Sequence, residues 1–145
     1  MDVSLRDITK ENYEEVCELE IPDEQQAHLS ENVWSLVESH YNSTHQTRAI
    51  YLKNDIVGFI MWVYMSEVKT SIWRFMVAHE HQKKGIGRES LRQAVNEIGK
   101  KKGLKEIEIC YSPKNTIARN LYLSLGFQET GMDKDKIEMY AVIKL

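Results

Sequence analysis

The stretch from Thr70 to Lys102 constrains the fold most, because its pattern changes from a strand to a turn to a helix. A nearly continuous apolar run from Ile72 to Ala78, broken only by Arg74, is typical of a strand buried on both faces. After the turn, apolar residues recur at three- and four-residue steps, which predicts a helix with these core positions: Leu91, Ala94, Val95 and Ile98. The stretch therefore predicts a buried strand that leads directly into an amphipathic helix.

The connecting turn reads Gln82-Lys83-Lys84-Gly85-Ile86-Gly87-Arg88. Two glycines one residue apart allow a tight turn and a close approach of the backbone to a ligand. The free N–H groups at the start of the following helix favour an anion, and three cationic side chains stand beside them. The turn predicts a pyrophosphate or similar site, although a plain strand-to-helix connection would use the same glycines. It is neither a dinucleotide fingerprint, which needs a third glycine, nor a P-loop.

A second motif begins 28 residues after Gly87, on the next strand–helix unit. It runs Asn115-Thr116-Ile117-Ala118-Arg119-Asn120-Leu121-Tyr122-Leu123-Ser124-Leu125-Gly126-Phe127. Its apolar positions predict a helix from Asn115 to Leu125 that Gly126 ends.

Both motifs resemble signatures of the GNAT family of N-acetyltransferases. Gln82–Gly87 matches the acetyl-CoA signature Gln/Arg-x-x-Gly-x-Gly/Ala, and Asn115–Phe127 matches Asn-x-x-Ala-x-x-Leu-Tyr-x-x-x-Gly-Phe at every fixed position. The string Trp73–Val77 before the turn resembles the spermidine/spermine acetyltransferase branch. The resemblance covers Arg48 to Leu145 well and the first 47 residues loosely.

The order of elements predicts an α/β (α+β) fold: strand, two helices, three strands, helix, strand, helix, two strands. The two early helices are expected to end near Glu20 and to run from about Asp23 to His40. Gly103 is expected to end the long helix. The resemblance adds the topology, a single mixed, mostly antiparallel seven-stranded sheet that splays between its fourth and fifth strands, with about four helices. Residues 1–145 are expected to form one domain.

Composition excludes several classes of protein. A net charge of −3 on 145 residues disfavours nucleic acid as the main partner. No run approaches the ~18 apolar residues of a membrane span, and the start MDVSLRDITK has no apolar signal region. Cys17 and Cys110 fit no metal or disulfide spacing, so both are expected in the core and no metal is expected. A soluble protein is expected, and the cofactor that the resemblance implies favours the cytoplasm.

The resemblance implies that acetyl-CoA is the cosubstrate. A backbone N–H at Met76 or Val77 would polarise the thioester carbonyl, and the amides from Lys84 to Arg88 would bind the pyrophosphate. The full set of expected cofactor contacts is Phe75, Met76, Val77, Gln82, Lys83, Lys84, Gly85, Ile86, Gly87, Arg88, Asn115, Arg119 and Tyr122.

Tyr122 matches the family's proton donor to the leaving sulfur. A tyrosine of pKa near 10 that protonates a thiolate of pKa near 8.5 works uphill by about 2 kcal/mol. Tyr122 could therefore donate the proton or only hydrogen-bond the sulfur, and a core aromatic is the structural alternative.

The general base is not fixed by the sequence, because the strand before the turn has no carboxylate. Glu67 just before that strand is the expected base, with Glu80, His79, His81 or a chain of waters as alternatives. Substrate contacts are expected from the first two helices and the strand: Glu24, Glu31, Trp34 and Trp73. Carboxylates at seven-residue spacing (Glu24, Glu31, Glu38) would suit a polycation, and a solvated helix face is the other interpretation.

The sequence therefore predicts an enzyme that transfers the acetyl group of acetyl-CoA to a primary amine of a small molecule by direct attack of the neutral amine. A polyamine or diamine is the leading acceptor. A protein amine, an aminoglycoside, or a non-catalytic acyl-CoA-binding regulator are the alternatives. A homodimer through the apolar run Met139–Ile143 is expected from the resemblance.

Overall fold

The computed structural model describes residues 1–20 and 32–145. The strands found there form one mixed sheet in the order β1-β2-β3-β4-β5-β7-β6. Their bounds are β1 Val3–Arg6, β2 His45–Leu52, β3 Asp55–Tyr64, β4 Lys69–Val77, β5 Glu106–Tyr111, β6 Gln128–Met132 and β7 Met139–Lys144. Every neighbouring pair is antiparallel except β4 and β5, which run parallel. This confirms the predicted seven-stranded, mostly antiparallel sheet.

The helices of the described ranges are α1 Tyr13–Cys17, α2 Asn32–Tyr41, α3 Ile86–Ile98 and α4 Thr116–Ser124, with a short 3-10 helix at His79–His81. The predicted start of the second helix lies outside the described residues. The predicted end of α3 at Gly103 is wrong, because the helix stops at Ile98 and Gly99 caps it. Glycine is a poor helix former, and the next amides make tighter bonds, from Lys100 N to Glu97 O and from Lys101 N to Ile98 O.

The sheet separates two hydrophobic clusters. On one face, α3 and α4 pack on the larger cluster, which includes Ile72, Leu91, Ile107, Tyr122 and Phe127. On the other face a smaller cluster joins α1 to strands β2, β3 and β4 through these residues: Val16, Ala49, Phe59, Met61 and Met76. Alternate residues of a strand point to opposite faces, so each position on β4 and β5 can be assigned to the α3/α4 face or to the α1 face.

Strand β4 carries a bulge at Trp73. In the register with β3, Met61 pairs with Arg74 and Trp62 pairs with Ile72, so Trp73 is the extra residue. Trp73 is 43% exposed, whereas Arg74 is only 5% exposed. The Arg74 guanidinium donates to Asn32 Oδ1 on α2 from Nε at 3.0 Å and from Nη2 at 2.8 Å. The predicted burial of this strand is confirmed for Ile72, Met76 and Val77. Phe75 is half-buried, and the bulge turns the tryptophan out and the arginine in.

Candidate active site

A cleft opens where β4 and β5 separate. The two strands pair only over Lys69–Ile72 and Glu106–Ile109, a stretch called here the β4–β5 seam. Beyond the seam the strands diverge, and the space between them has a volume of about 330 Å³. A splayed parallel pair leaves the facing backbone groups without strand partners, so the cleft walls carry free donors and acceptors.

The cleft brings together most of the predicted cofactor residues. Strand β4 contributes Trp73, Phe75, Met76 and Val77. The glycine turn contributes Gln82, Lys83, Gly85, Gly87 and Arg88. Helix α4 and its cap contribute Asn115 and Tyr122. The two sequence motifs therefore form opposite walls of one site, although they are separated in the chain.

Three predicted cofactor residues do not have their side chains on the cleft wall. Ile86 is 2% exposed and packs in the larger cluster, so it can offer only its backbone. Lys84 is exposed beside the turn. Arg119 points to the far side of α4, where its Nε donates to Glu129 Oε1 at 2.6 Å.

The predicted bases do not lie at the cleft. Glu67 is exposed in the turn between β3 and β4. It lies at the opposite end of β4 from the glycine turn, so the seam separates it from the diverging strands. Glu80 and His81 border a different concavity, next to Glu15 and Glu18. The structure thus does not support Glu67 as the group that deprotonates the amine.

The predicted substrate residues are placed unevenly. Glu24 and Glu31 lie outside the described residues. Trp34 is 64% exposed on α2 and does not line the cleft. Trp73 does line it, and its ring meets the His45 ring edge-on with centroids 5.2 Å apart.

The glycine turn is held in a conformation that opens the start of α3. Lys83 has φ of 62° and Gly85 has φ of 85°, both in the left-handed region. The Gln82 side chain fixes the turn, since its Nε2 donates to Val77 O at 2.8 Å. No side chain caps α3 at Gly85, so the first N–H groups of the helix remain available to a ligand. A left-handed lysine is uncommon, and the sequence pattern did not reveal this one; Lys53 and Lys136 adopt the same conformation in other turns.

Arg88 joins the two walls at the rim of the cleft. Its Nη2 donates to Ser124 Oγ at 2.6 Å, and that hydroxyl donates to Leu121 O at 2.7 Å. With Lys83 on the same rim, this end of the cleft is cationic. A helix N-terminus flanked by two cations is suited to a phosphorylated ligand.

Asn115 has a structural role at the start of α4. Its Oδ1 accepts a hydrogen bond from Ala118 N at 3.2 Å and caps the helix. The amide Nδ2 is the remaining donor of this side chain on the cleft wall. Asn115 is therefore fixed in place for a contact through nitrogen rather than oxygen.

Tyr122 is a buried polar side chain of the cleft. It is 5% exposed and packs among three rings, with centroid distances of 5.2 Å to Tyr111, 6.2 Å to Phe127 and 6.5 Å to Phe75. Burial raises the pKa of Tyr122 far above its ordinary value, and Cys110 and Tyr111 raise it further. The hydroxyl therefore keeps its proton over the whole physiological range and is a hydrogen-bond donor.

The cleft residues that the sequence patterns missed include Cys110, Tyr111 and Glu138. Burial raises the pKa of Tyr111 to about 12, with Glu129 adding to the shift and Arg119 opposing it. Burial also raises the pKa of Cys110 to about 12, with further contributions from the charge of Glu138 and its hydrogen bond with the thiol. The alternation on β5 could have revealed Cys110, but no local signal marks Glu138.

We expect stability to fall between about pH 9 and pH 12 because of Cys110 and Tyr111. Their folded pKa values of about 12 exceed the ordinary values of 9.0 and 10.0. Both groups are neutral in both states below pH 9, and above it the unfolded chain loses its protons first, so each added pH unit favours unfolding. For Cys110 the limit is about 1.4 kcal/mol per pH unit. The free energy of unfolding, measured with guanidinium from pH 8 to 11, should decline less steeply in Cys110→Ala than in Cys17→Ala. The same dependence on pH in both variants would contradict this.

Two other kinds of site, a metal centre and a membrane span, are not found among the described residues. No group of three or more His, Cys, Asp or Glu residues there is arranged to hold a metal ion. No helix in the same ranges has the length and apolar character needed to cross a membrane.

Comparison with known proteins gives two independent likenesses. A sequence model of the acetyltransferase (GNAT) family matches residues 13–127. The spermine/spermidine N(1)-acetyltransferase of Bacillus subtilis (strain 168) is 22% identical over 138 residues, which cover 90% of this chain and 91% of the relative.

Solved structures share the fold. A spermidine N-acetyltransferase from Vibrio cholerae, in complex with CoA and spermine, superposes with a TM-score of 0.82 at 16% identity and covers 99% of this chain and 95% of its own. An aminoglycoside acetyltransferase in complex with coenzyme A has a TM-score of 0.81 at 16% identity, with coverage of 98% and 94%. At these identities the likeness establishes the arrangement of strands and helices.

Proposed function

This chain belongs to the acetyltransferase (GNAT) family, and we propose that it transfers the acetyl group of acetyl-CoA to a primary amine of a small molecule, with polyamines and diamines as the leading acceptors. One observation carries the proposal. A single cleft runs from the cationic glycine turn to the buried hydroxyl of Tyr122. A cleft with cationic groups at one end and a buried hydrogen-bond donor at the other suits a ligand with phosphates at one end and a reactive thioester at the other.

The residues of the cleft fit acetyl-CoA. An added Cβ at Gly87 would meet Leu121, Phe75 and Val77 at 3.6–3.8 Å, so the backbone lies against both walls with little spare room. The first amides of α3, with Lys83 and Arg88 beside them, would hold the pyrophosphate. The free edge of β4 after the bulge would hydrogen-bond the pantetheine arm. Acetyl-CoA supplies an activated acetyl group as a thioester.

The chain's own groups have two tasks at the acyl group in this reaction. A β4 amide at Met76 or Val77 would stabilise the negative charge that develops on the carbonyl oxygen, as oxyanion donors do. Tyr122 would hold its proton for the departing sulfur. Burial raises the proton affinity of a thiolate as it does that of a phenol, so the rise in the pKa of the donor is offset by a rise in that of the acceptor.

The choice of acceptor rests on the relatives. The Bacillus relative is named for spermine and spermidine, and the Vibrio structure holds spermine. The aminoglycoside enzyme superposes almost as well, so the fold alone does not separate these acceptors. Acetylation of a protein amine and acyl-CoA binding without turnover remain the alternatives. The homodimer and the cytoplasmic location stay predictions, and sedimentation would measure the first.

The proposal is tested by free-thiol release from acetyl-CoA with a panel of amines: spermidine, spermine, short diamines, lysine peptides and aminoglycosides. Saturable turnover with polyamines is the expected result. Turnover with only peptides or aminoglycosides would move the acceptor to that class. If no amine of the panel is acetylated although calorimetry shows that acetyl-CoA binds, a non-catalytic acyl-CoA-binding regulator would be favoured.

Replacing Lys83 with asparagine should weaken acetyl-CoA binding selectively. Asparagine tolerates the left-handed conformation of residue 83, so the change removes a charge and leaves the turn intact. We expect the KM for acetyl-CoA to rise about tenfold, as for one charge-assisted contact, with kcat nearly unchanged and a smaller effect at high salt. Lys102→Asn, in the exposed turn after α3, is the control. Equal KM values for the two variants would remove Lys83 from the phosphate site.

A further inference from the structure

The described part of the cleft wall holds one carboxylate, that of Glu138. Cationic side chains on the same wall are Arg74, Lys83 and Arg88. An acceptor amine arrives as an ammonium ion, since alkylamines titrate near 10.4. A negative partner near the acyl group would favour its entry.

Glu138 is held at a fixed place by the turn before β7. Its backbone N–H donates to Asp133 Oδ1 at 3.2 Å, and its carbonyl accepts from Asp133 N at 2.8 Å. The next residue, Met139, pairs with Tyr111 at the end of β5. Glu138 therefore stands beside the mouth of the cleft, where β5 leaves the sheet, and no ion pair within the described ranges uses its side chain.

Glu138 and Tyr122 lie on opposite faces of the sheet. Tyr111 packs with Tyr122 in the cluster beneath α3 and α4. Cys110, the next residue on β5, points the other way, and Glu138 contacts its thiol. The bulged Trp73 and the buried Arg74 line the β4 side of the same cleft. An amine that approaches past Trp73 and Glu138 would enter from the face of the sheet opposite Tyr122.

We propose that Glu138 receives the acceptor amine, holding the ammonium group by charge and then taking its proton before attack. This inference rests on the proposed acetyl transfer. The carboxylate accepts one proton from the ammonium and leaves a neutral amine. The nitrogen lone pair forms the new C–N bond as the C=O pair moves to oxygen, and the return of that pair breaks the C–S bond, whose electrons leave with the sulfur. The thiolate takes the second proton of the attacking nitrogen, either directly or through Tyr122, which then gives its own proton to sulfur and regains one from nitrogen. Glu138 releases its proton to solvent.

Several polar groups surround Glu138. They are Cys110 and Glu108 on β5, Tyr140 on β7 and Asp133 in the preceding turn. Three of these also face Tyr140, whose pKa they raise together with burial. Glu108 pairs with Lys69, so Asp133 is the carboxylate of this group that adds negative charge beside Glu138, which suits a substrate with more than one amine.

The test compares Glu138→Gln, Glu138→Asp and the control Asp135→Asn, an exposed carboxylate of the same turn that does not line the cleft. We expect Glu138→Gln to lower kcat/KM for spermidine about 10²-fold near pH 7, with the acetyl-CoA dissociation constant unchanged in calorimetry. The deficit should shrink toward pH 10, where more of the amine is already neutral. Glu138→Asp should recover part of the activity.

Each other outcome overturns the inference in a recognisable way. If the wild type turns over amines and Glu138→Gln behaves as Asp135→Asn does, Glu138 has no role in the reaction. If Glu138→Gln loses activity equally at every pH and also binds acetyl-CoA weakly, its role is structural. A wild type that binds acetyl-CoA but acetylates no amine overturns the proposed function, and this inference with it.

Discussion

Replacement of Tyr122 with phenylalanine is expected to lower kcat about 10³-fold, within the range of a positioned proton donor. The KM for acetyl-CoA should change little, because the ring contacts with Tyr111, Phe127 and Phe75 remain. The lost interaction forms only as sulfur departs, and such a loss falls on kcat. Stopped-flow thiol release with saturating amine measures this directly.

Tyr111→Phe is the matched control for this experiment. The Tyr111 hydroxyl is buried with no hydrogen-bond partner among the described residues, so its removal should be neutral or slightly stabilising. Its ring lies 5.2 Å from that of Tyr122, and both variants therefore disturb the same packing. Equal rates in the two variants would show that Tyr122 is a packing residue and not a proton donor.

Gly58→Ala is expected to destabilise the protein by about 3 kcal/mol, at the upper end of overpacking effects. An added Cβ at Gly58 would lie 2.5 Å from Met76 O and 3.0 Å from Ile50 Cδ1. The first of these is a backbone atom of β4, so strands β3 and β4 would have to move apart at the register pair Gly58–Val77. For a domain of this size the melting temperature should fall by roughly 6–12 °C.

Gly103→Ala provides the comparison for Gly58→Ala. Gly103 has φ of 85° and nothing within 4 Å of its added Cβ, so only backbone strain of about 1 kcal/mol is expected. Differential scanning calorimetry of both variants separates a steric clash from a conformational penalty. If Gly58→Ala lowers the melting temperature no more than Gly103→Ala does, β3 and β4 accommodate the added methyl group at residue 58 without a steric penalty.

The sequence predicted the parts of this structure that depend on local patterns. The predicted strand that begins at Ile72 and the predicted amphipathic helix with Leu91, Ala94 and Ile98 in the core are both present, because such patterns are read from neighbouring residues. The two motifs predicted the glycine turn and the helix that carries Tyr122. These features need no knowledge of the distant chain.

The features that the sequence missed depend on pairing between distant segments. The bulge at Trp73 follows from the register with β3, and the position of Glu138 follows from the pairing of β7 with β5. The left-handed lysine at residue 83 also escaped notice, since only glycine signals such a conformation. The predicted base Glu67 does not line the cleft. It precedes β4 in the chain and therefore lies at the end of β4 that pairs with β5, whereas the cleft opens at the other end.

The β4–β5 seam also links the binding of a ligand in the cleft to the stability of the sheet. Only four residue pairs join the β1–β4 half of the sheet to the β5–β7 half. A ligand that contacts both walls of the cleft binds only when the two halves are held together, so it stabilises the folded sheet by mass action. At a ligand concentration of 100 times its dissociation constant this contribution is about 2.7 kcal/mol. Slower amide hydrogen exchange across Lys69–Ile72 on addition of CoA would report this stabilisation, and unchanged exchange would exclude it. Bound acetyl-CoA would then stabilise the pairing of β4 with β5, and this stabilisation would be lost each time the product CoA leaves the cleft.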